Sequence, residues 1–395
     1  MSRVRSILFW CHLPLGLSAG LLIVVMSVTG VLLTYQKQMQ YWADAGAFRA
    51  APAAGAERLP IGELVASLRQ AEYDTAPTAI TWRRDPAEPV AVAMGTRIVY
   101  VNPYSGAVHG EAQGQRMRAF FTSVTGWHRY LATDVANRAT GRWFTGAANL
   151  MFLFVLLSGF YLWWPRHWTW TQFRNALWFR RGLPAKARDF NWHHALGFWS
   201  LAPLTVIVLG SAVISYPWAT DLVYRVMGDT PPPRAATKGA AAKGPPTKGP
   251  ASSQPGTHAA APATEPLPLP TLDPLLLRAE ARVPSWKMIT MRLPERNGLV
   301  AFTIDRGTAG QPQKRDMVTF DLAKPDAERW EPFANQTSGR RARSWLRFLH
   351  TGEAFGLVGQ TIAGLVSGAA VVLAYTGTML SFRRFFGKKR RHVDT

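Results

Sequence analysis

The sequence predicts a membrane protein: an all-α bundle of four transmembrane helices, two α+β modules outside the membrane, and an internal two-fold repeat. Two observations predict this class. Four stretches contain no Asp, Glu, Lys or Arg, and each exceeds the roughly 20 residues that a helix needs to cross about 30 Å of hydrocarbon. They lie at about 6–36, 143–164, 195–218 and 355–382. Between them, two long segments contain short apolar runs typical of strands.

The first span, 6–36, is predicted to be a retained helix. Its apolar core from Leu13 to Tyr35 is much longer than the roughly 7–15 residues of a secretory-signal core. The remaining transmembrane helices are predicted at 143–164, 193–218 and 355–382. The even number of crossings places both termini on the same side of the membrane.

The net charge of +21 is unevenly distributed. Basic residues lead the chain at Arg3 and Arg5 and fill the loop 165–192 and the tail 383–395. Short basic segments stay on the cytoplasmic side, where they also meet anionic lipid. We therefore predict a multi-pass protein of a bacterial inner membrane with both termini in the cytoplasm. No basic face interleaved with aromatic residues argues for nucleic acid.

Two segments are then predicted to lie in the periplasm. The first, 37–142, has an amphipathic helical pattern at 59–71, and strand patterns follow at 79–82, 89–94 and 97–102. The second, 219–354, has a helical pattern at 272–283, and strand patterns follow at 286–293, 299–305 and 316–322. Because the order of elements is the same, each segment is predicted to hold one α+β module, and the chain is predicted to be duplicated.

The second periplasmic segment opens with a stretch of unusual composition, 231–270. Pro, Ala, Gly, Lys and Thr dominate it, and large apolar residues are almost absent before Leu267. Such a stretch cannot bury enough surface to offset its ordering entropy. We predict a disordered linker.

Histidines recur at matching points of the two halves. Helix one begins with His12 and helix three with His193, each four residues before a glycine. His128 in GWHRYL precedes helix two, and His350 in FLHTGEAFG precedes helix four. An axis along the membrane normal brings equivalent positions of parallel repeats together. We expect His12 to face His193 near the cytoplasmic surface and His128 to face His350 near the outer surface.

Two facing imidazoles can supply both axial ligands of a haem iron. The alternative is that each histidine is only an amphipathic residue at a helix end. Four histidines matched pairwise at two depths favour ligation. Within the doublet His193-His194, we predict His193 as the ligand because it shares its offset to glycine with His12, and we keep His194 as the substitute. We expect His109 to be exposed and His167 to be an interfacial residue.

Other chemistries find little support in the sequence. No HExxH pair, GxSxG elbow, Walker loop or GxGxxG before a helix occurs, and we assign no catalytic residue. The single cysteine, Cys11, excludes an intramolecular disulfide and thiolate-ligated clusters. Without a nucleotide- or flavin-binding domain, electrons for a redox reaction must come from elsewhere.

Several motifs resemble the PepSY-associated transmembrane family. RIVYVNPYSGAVHG at 97–110 is similar to the closing hairpin of a PepSY domain, with Asn102 in place of the common Asp and Ser105 in place of the common Thr. The helix starts HLPLG and HHALG resemble the family, as do SVTG (27–30), GFYLWWPR (159–166) and HTGEAFGLVGQ (350–360). The resemblance covers nearly the whole chain except 231–270.

This resemblance implies a function. Members of the family include inner-membrane ferric-siderophore reductases with two b-type haems, which implies His12 and His193 as ligands of an inner haem iron and His128 and His350 as ligands of an outer one. Electrons from an unidentified donor, a quinol or a cytoplasmic reductase, would reduce a periplasmic ferric siderophore or other ferric chelate and release Fe(II). Two alternatives stay open: a non-enzymatic PepSY protein that binds peptides or regulates a peptidase, and a component of iron-chelate transport.

Overall fold

The computed structural model describes most of the chain, in the ranges 3–95, 97–112, 114–164, 169–233, 272–293, 298–308 and 310–386. The predicted linker at 231–270 falls outside these ranges from residue 234 onwards. His167 and the part of the predicted basic tail at 383–395 that follows residue 386 also lie outside the described residues.

Helices and strands follow one another in a similar order in the two halves. The first half contains α1 (Arg3–Leu33), α2 (Gln36–Ala45), α3 (Ile61–Gln70), β1 (Ala79–Arg83), β2 (Val90–Met94), β3 (Arg97–Val101), β4 (Val108–Glu111), α4 (Gln115–Tyr130) and α5 (Arg138–Trp163). The second contains α6 (Trp170–Leu177), α7 (Ala185–Ser215), α8 (Pro217–Val226), α9 (Leu272–Arg282), β5 (Met288–Arg292), β6 (Leu299–Asp305), β7 (Arg315–Asp321), β8 (Lys324–Pro332), α10 (Ser338–His350) and α11 (Gly356–Phe386).

Four helices, α1, α5, α7 and α11, are long and apolar enough to cross a membrane. They form a bundle in which α1 packs against α5 and α11, and α7 packs against the same two helices. Large apolar side chains point outward from the bundle; Leu21 and Leu365 are 75% and 70% exposed. In water this surface would be unfavourable, but lipid solvates it. The chain is therefore a multi-pass membrane protein, and the prediction of four membrane-spanning helices is confirmed.

The third membrane helix is longer than the sequence predicts. The sequence places it at 193–218 after a loop, 165–192, but α7 begins at Ala185. Its first turns carry charged residues, including Asp189, which is 1% exposed and accepts a hydrogen bond from Arg383 of α11 at 2.5 Å. The absence of charge marks the part of the helix in hydrocarbon, whereas the backbone continues helically beyond it.

The eight strands of the described chain form one antiparallel sheet in the order β4-β3-β2-β1-β5-β6-β7-β8. Strands β1 and β5 pair at the centre, where Thr81 and Thr290 are opposite each other with their hydroxyl oxygens 3.0 Å apart. The two α+β regions predicted from the sequence therefore share one sheet. From the central pair outward, β1 is followed by β2, β3 and β4 on one side, and β5 is followed by β6, β7 and β8 on the other.

One hydrophobic core lies between this sheet and the helices α3 and α9. Leu64 and Leu68 of α3 and Leu272 and Leu275 of α9 are at most 3% exposed. They cover the alternate buried residues of the central strands, such as Ile80 and Ile289. The helices also meet directly, because the backbone N–H of Ile61 donates to Asp273 Oδ1 at 2.9 Å.

Several elements are not predicted by the sequence. Strand β8 reads KPDAERWEP, in which charged residues hide the strand pattern. Four short helices, α2, α4, α8 and α10, connect the sheet region and the bundle. Two of them, α4 and α10, carry His128 and His350. The sequence places these two histidines just before the membrane helices; the structure places them on separate helices that pack against α1 and α7.

Candidate functional site

The structure brings His128 and His350 together. Their rings lie 6.2 Å apart between centroids, with an angle of 50° between the ring planes. His128 is on the last turn of α4 and His350 is the last residue of α10. Both helices are outside the four membrane spans and pack against the bundle from the sheet side. The two imidazoles form one candidate site, here called the outer pair.

Each ring of the outer pair is held through Nδ1. His128 Nδ1 lies 2.9 Å from Thr29 Oγ1 on α1 and close to the Met26 carbonyl. His350 Nδ1 lies 2.8 Å from the Ile207 carbonyl on α7. Met26 lies 14 residues after His12 on α1, and Ile207 lies 14 residues after His193 on α7. The two rings therefore approach corresponding turns of two membrane helices.

His12 and His193 lie at the opposite end of the bundle and form the inner pair. His12 Nδ1 lies 2.9 Å from Ser158 Oγ on α5, and His193 Nδ1 lies 3.0 Å from Thr376 Oγ1 on α11. The two imidazoles are within electrostatic range of each other. Each ring of the inner pair is thus anchored by the hydroxyl of a neighbouring membrane helix.

These hydroxyl groups determine which ring nitrogen carries the proton. Ser158 Oγ also donates to Phe154 O at 2.7 Å, Thr376 Oγ1 to Val372 O at 2.8 Å, and Thr29 Oγ1 to Val25 O at 2.6 Å. A hydroxyl has one proton, so an oxygen that donates to a carbonyl accepts from the imidazole. His350 must also donate from Nδ1, because a carbonyl only accepts. In all four histidines Nε2 is left with its lone pair, as a metal ligand requires.

Glycines next to these hydroxyl residues make room for three of the rings. A Cβ atom at Gly159 would lie 3.2 Å from His12 Cε1, and one at Gly377 would lie 3.3 Å from His193 Cε1. A Cβ at Gly30 would lie 3.6 Å from His128 Cε1. Sequence reasoning missed this pattern, although its signal is visible: the dipeptides Thr29-Gly30, Ser158-Gly159 and Thr376-Gly377 recur on three membrane helices.

The other histidines of the described chain have different surroundings. His194 Nδ1 is 3.0 Å from the Phe190 carbonyl of its own helix, and its ring lies on Phe190 at 4.1 Å between centroids. His109, which the sequence predicts to be exposed, is half-buried instead. Its ring stacks on Phe48 with centroids 5.1 Å apart and planes 6° apart. The expectation for His109 was wrong because the helical turn after α2 covers this part of the sheet.

A cavity of about 680 Å³ is lined by both rings of the outer pair. It lies between the membrane helices and the ends of α4 and α10, and its wall combines apolar and polar side chains. Removal from water and the neighbouring His350 lower the pKa of His128 to about 4, and burial also lowers the pKa of His350. Both imidazoles are therefore neutral at pH 7.

No group of three or more His, Cys, Asp or Glu side chains that could hold a metal ion is found within the described ranges. The candidate site is instead a pair of neighbouring imidazoles beside a cavity, with a second histidine pair at the other end of the same bundle. The fold and these pairs define a multi-pass membrane protein with an extramembrane antiparallel sheet and histidine-bearing helices.

The comparison with protein families names the class more closely. The chain belongs to the family described as the PepSY-associated TM region, whose family model matches residues 9–384. The resemblance drawn from the sequence motifs is thereby confirmed. No curated protein matches the chain significantly.

Proposed function

We propose that this protein is a di-haem oxidoreductase of the bacterial inner membrane that passes electrons across the bilayer and reduces a ferric chelate, such as a ferric siderophore, on the sheet side. The observation that carries the proposal is the neighbouring His128 and His350 rings with Nδ1 engaged and Nε2 left as a ligand. The inner pair repeats the same chemistry at the other end of the bundle.

The spacing of the outer pair supports a bis-imidazole iron centre. An imidazole nitrogen binds a first-row metal ion at about 2 Å, so two imidazoles that share one ion must be close neighbours. The 6.2 Å between the ring centroids of His128 and His350 meets this requirement, and both residues would hold the iron. The cavity beside the rings is within the range of about 300–1,000 Å³ typical of cofactor sites.

A haem held by His128 and His350 would supply an iron that exchanges one electron between Fe(III) and Fe(II). The residues of this chain would hold that iron and set its surroundings. Neutral imidazole suits both oxidation states, and the Nδ1 hydrogen bonds fix the ring orientations. Release of iron from a hard oxygen-donor chelator follows from adding one electron to each Fe(III), because Fe(II) is bound more weakly by such ligands.

The separation of the two histidine layers bears on electron transfer. Along α1 the layers are separated by the stretch from His12 to Thr29, and along α7 by the stretch from His193 to Ile207. At a rise of about 1.5 Å per residue, these stretches are roughly 21–26 Å long along the helix axis. The sequence alone suggests roughly 30 Å. The shorter separation favours transfer between the two sites.

The orientation in the membrane is supported by the basic residues at the end of the bundle that is away from the sheet. Arg5 donates to the Trp164 carbonyl at 3.1 Å, and Arg383 pairs with Asp189. Positive residues mark the cytoplasmic side, so we place the inner pair near the cytoplasm and the sheet in the periplasm. The symmetric sheet order and the matching offsets of Met26 and Ile207 support the internal two-fold repeat.

The decisive experiment is the visible spectrum of the protein purified from haem-replete cells, before and after dithionite. Two b-type centres are expected. The reduced protein is then mixed anaerobically with a ferric siderophore, and Fe(II) is trapped with a coloured chelator. His128→Ala should abolish Fe(II) formation, whereas His109→Ala should retain it. A featureless spectrum rejects the proposal and favours the peptide-binding or transport alternatives. Two haems without Fe(II) formation reject only the ferric substrate.

A further inference from the structure

Arginine side chains are concentrated around the cavity of the outer pair. Arg129 follows His128 directly on α4, and Arg343 and Arg347 lie two turns and one turn before His350 on α10. All three line the cavity with the two imidazoles. They are here called the arginine cluster. Their placement is set by the same two helices that position the histidines.

Neighbouring carboxylates offset the positive charge of the arginine cluster only in part. No carboxylate of the residues that the structure describes lies within ion-pair distance of Arg129, Arg343 or Arg347. The acidic residue in the cavity wall, Glu353, is already paired with Lys37 at 2.7 Å. Arg129 and Arg347 are half-buried, whereas Arg343 is exposed. A half-buried guanidinium without a counter-ion is unfavourable unless an anion completes its surroundings.

Two further basic side chains, Lys37 and Arg315, lie close to the arginine cluster. Lys37, Arg315 and Arg347 each lie over the Phe348 ring, at 5.8, 5.7 and 5.5 Å from its centroid. Burial is the largest cause of the lowered pKa of Arg347, and the charges of Arg343 and Arg315 add to it, whereas Glu353 acts in the opposite direction. Lys37 and Arg315 are paired with Glu353 and Asp305, so the repulsion that a bound anion would relieve lies mainly among the three arginines of the cluster.

We propose that the arginine cluster binds a carboxylate-bearing anion in the cavity next to the outer pair. Guanidinium groups match carboxylates through two parallel N–H···O bonds. The proposal rests on the proposed function and deepens it by naming the ligand class. Two sources share this chemistry: the carboxylates of a haem held by His128 and His350, and the carboxylates of an anionic ferric chelate that reaches the cavity.

The test uses the double variant Arg343→Gln/Arg347→Gln in the full-length protein. Its control is Arg97→Gln/Arg329→Gln, which removes the same charge from side chains that are 64% and 80% exposed on the sheet. Two quantities are measured on each purified protein: haem content, and binding of gallium(III) citrate by equilibrium dialysis. Gallium(III) is not reduced under these conditions, so its binding is read independently of electron transfer.

A loss of haem content of at least half in the cluster variant, with the control unchanged, assigns the site to the haem carboxylates. A gallium citrate affinity lowered at least tenfold, with haem retained, assigns it to the chelate. The substitution Arg347→Lys should give an intermediate loss, because the charge remains but the bidentate geometry does not. Equal haem content and equal citrate binding in the cluster variant and the control overturn the proposal. If the wild-type protein holds no haem, the proposed function fails, and the citrate measurement still decides the anion site.

Discussion

His193 Nδ1 and Thr376 Oγ1 lie 3.0 Å apart, so a side chain of α7 is fixed by a hydroxyl group of α11. Thr376 is completely buried and also donates to the Val372 carbonyl at 2.8 Å. The contact thus joins two membrane helices and specifies the tautomer of the imidazole at once. His12 and Ser158 have the corresponding relationship between α1 and α5.

Loss of this hydroxyl should weaken the inner centre. Thr376→Val keeps the shape of the side chain but removes the acceptor of the His193 proton. Because partners of metal-ligating imidazoles typically contribute roughly 10–100-fold in affinity or activity, we expect a lower haem content and a shifted midpoint potential of one centre. Redox titration of the visible spectrum measures both quantities. The control is Thr378→Val on the same helix, whose exposed hydroxyl bonds only its own backbone. Identical titrations of the two variants would show that the hydroxyl does not act on the centre.

The two histidines of the doublet should differ sharply on substitution. His193→Ala removes an imidazole that is anchored across helices, whereas His194→Ala removes one whose Nδ1 is bonded to Phe190 of its own helix. We expect the first variant to lose one of two b-type centres and the second to keep both. Haem-to-protein ratios and reduced spectra provide the measurement. Equal losses in both variants would mean that the choice of ligand within the doublet is wrong.

The small residue at position 377 should be required for the ring of His193. An added Cβ would lie 3.3 Å from His193 Cε1, and the larger side chain in Gly377→Val forces the ring to move. The expected result is loss of the inner centre without loss of the folded protein. Gly368→Val provides the control, since a Cβ at this position of α11 meets no atom within 4 Å. The idea is refuted if haem occupancy is the same in both variants and equal to that of the wild type.

Acidification should leave the ring of His128 neutral over an unusually wide pH range. The pKa of His128 is lowered to about 4 from an ordinary value of 6.5, so the neutral imidazole persists as the pH falls through 6.5. The stabilisation that depends on this neutral form is present above pH 6.5 and is lost as the pH approaches 4. We expect the NMR signals of the His128 imidazole in the haem-free protein, assigned by comparison with His128→Ala, to remain those of the neutral ring from pH 8 to about pH 5. A transition with its midpoint near pH 6.5 contradicts the expected burial of the ring.

The sequence predicts the membrane helices well because the signal is a long absence of charge. Most of the strands are also predicted, since runs such as LVAFTID and DMVTFDL have strong β-propensity. The sequence does not predict strand β8, because its charged residues give it a low β-propensity. The strand is stabilised instead by its pairing with β7. The joining of both strand groups into one sheet depends on contacts between β1 and β5, which are far apart in the chain, and no local pattern reveals them.

The sequence predicts the histidines of the candidate site, but it does not predict the hydroxyl residues that contact them. Repetition of His12 and His193 at equal offsets from glycine was a usable signal. Ser158 and Thr376 were not recognised, because a hydroxyl in a membrane helix ordinarily bonds to the carbonyl four residues earlier. Both do so here and accept from a histidine as well. The arginine cluster was also hidden, since it depends on the helices α4 and α10, which the sequence did not delimit.

The pairing of β1 with β5 constrains the order in which the protein can be assembled. During synthesis β1 is completed long before β5, and two membrane helices, α5 and α7, are made in between. Until β5 arrives, the edge of β1 that will pair with it has no partner, and exposed strand edges invite association with other chains. The first half therefore waits as an incomplete sheet, and its open edge is exposed to other chains from the translation of β1 to the translation of β5.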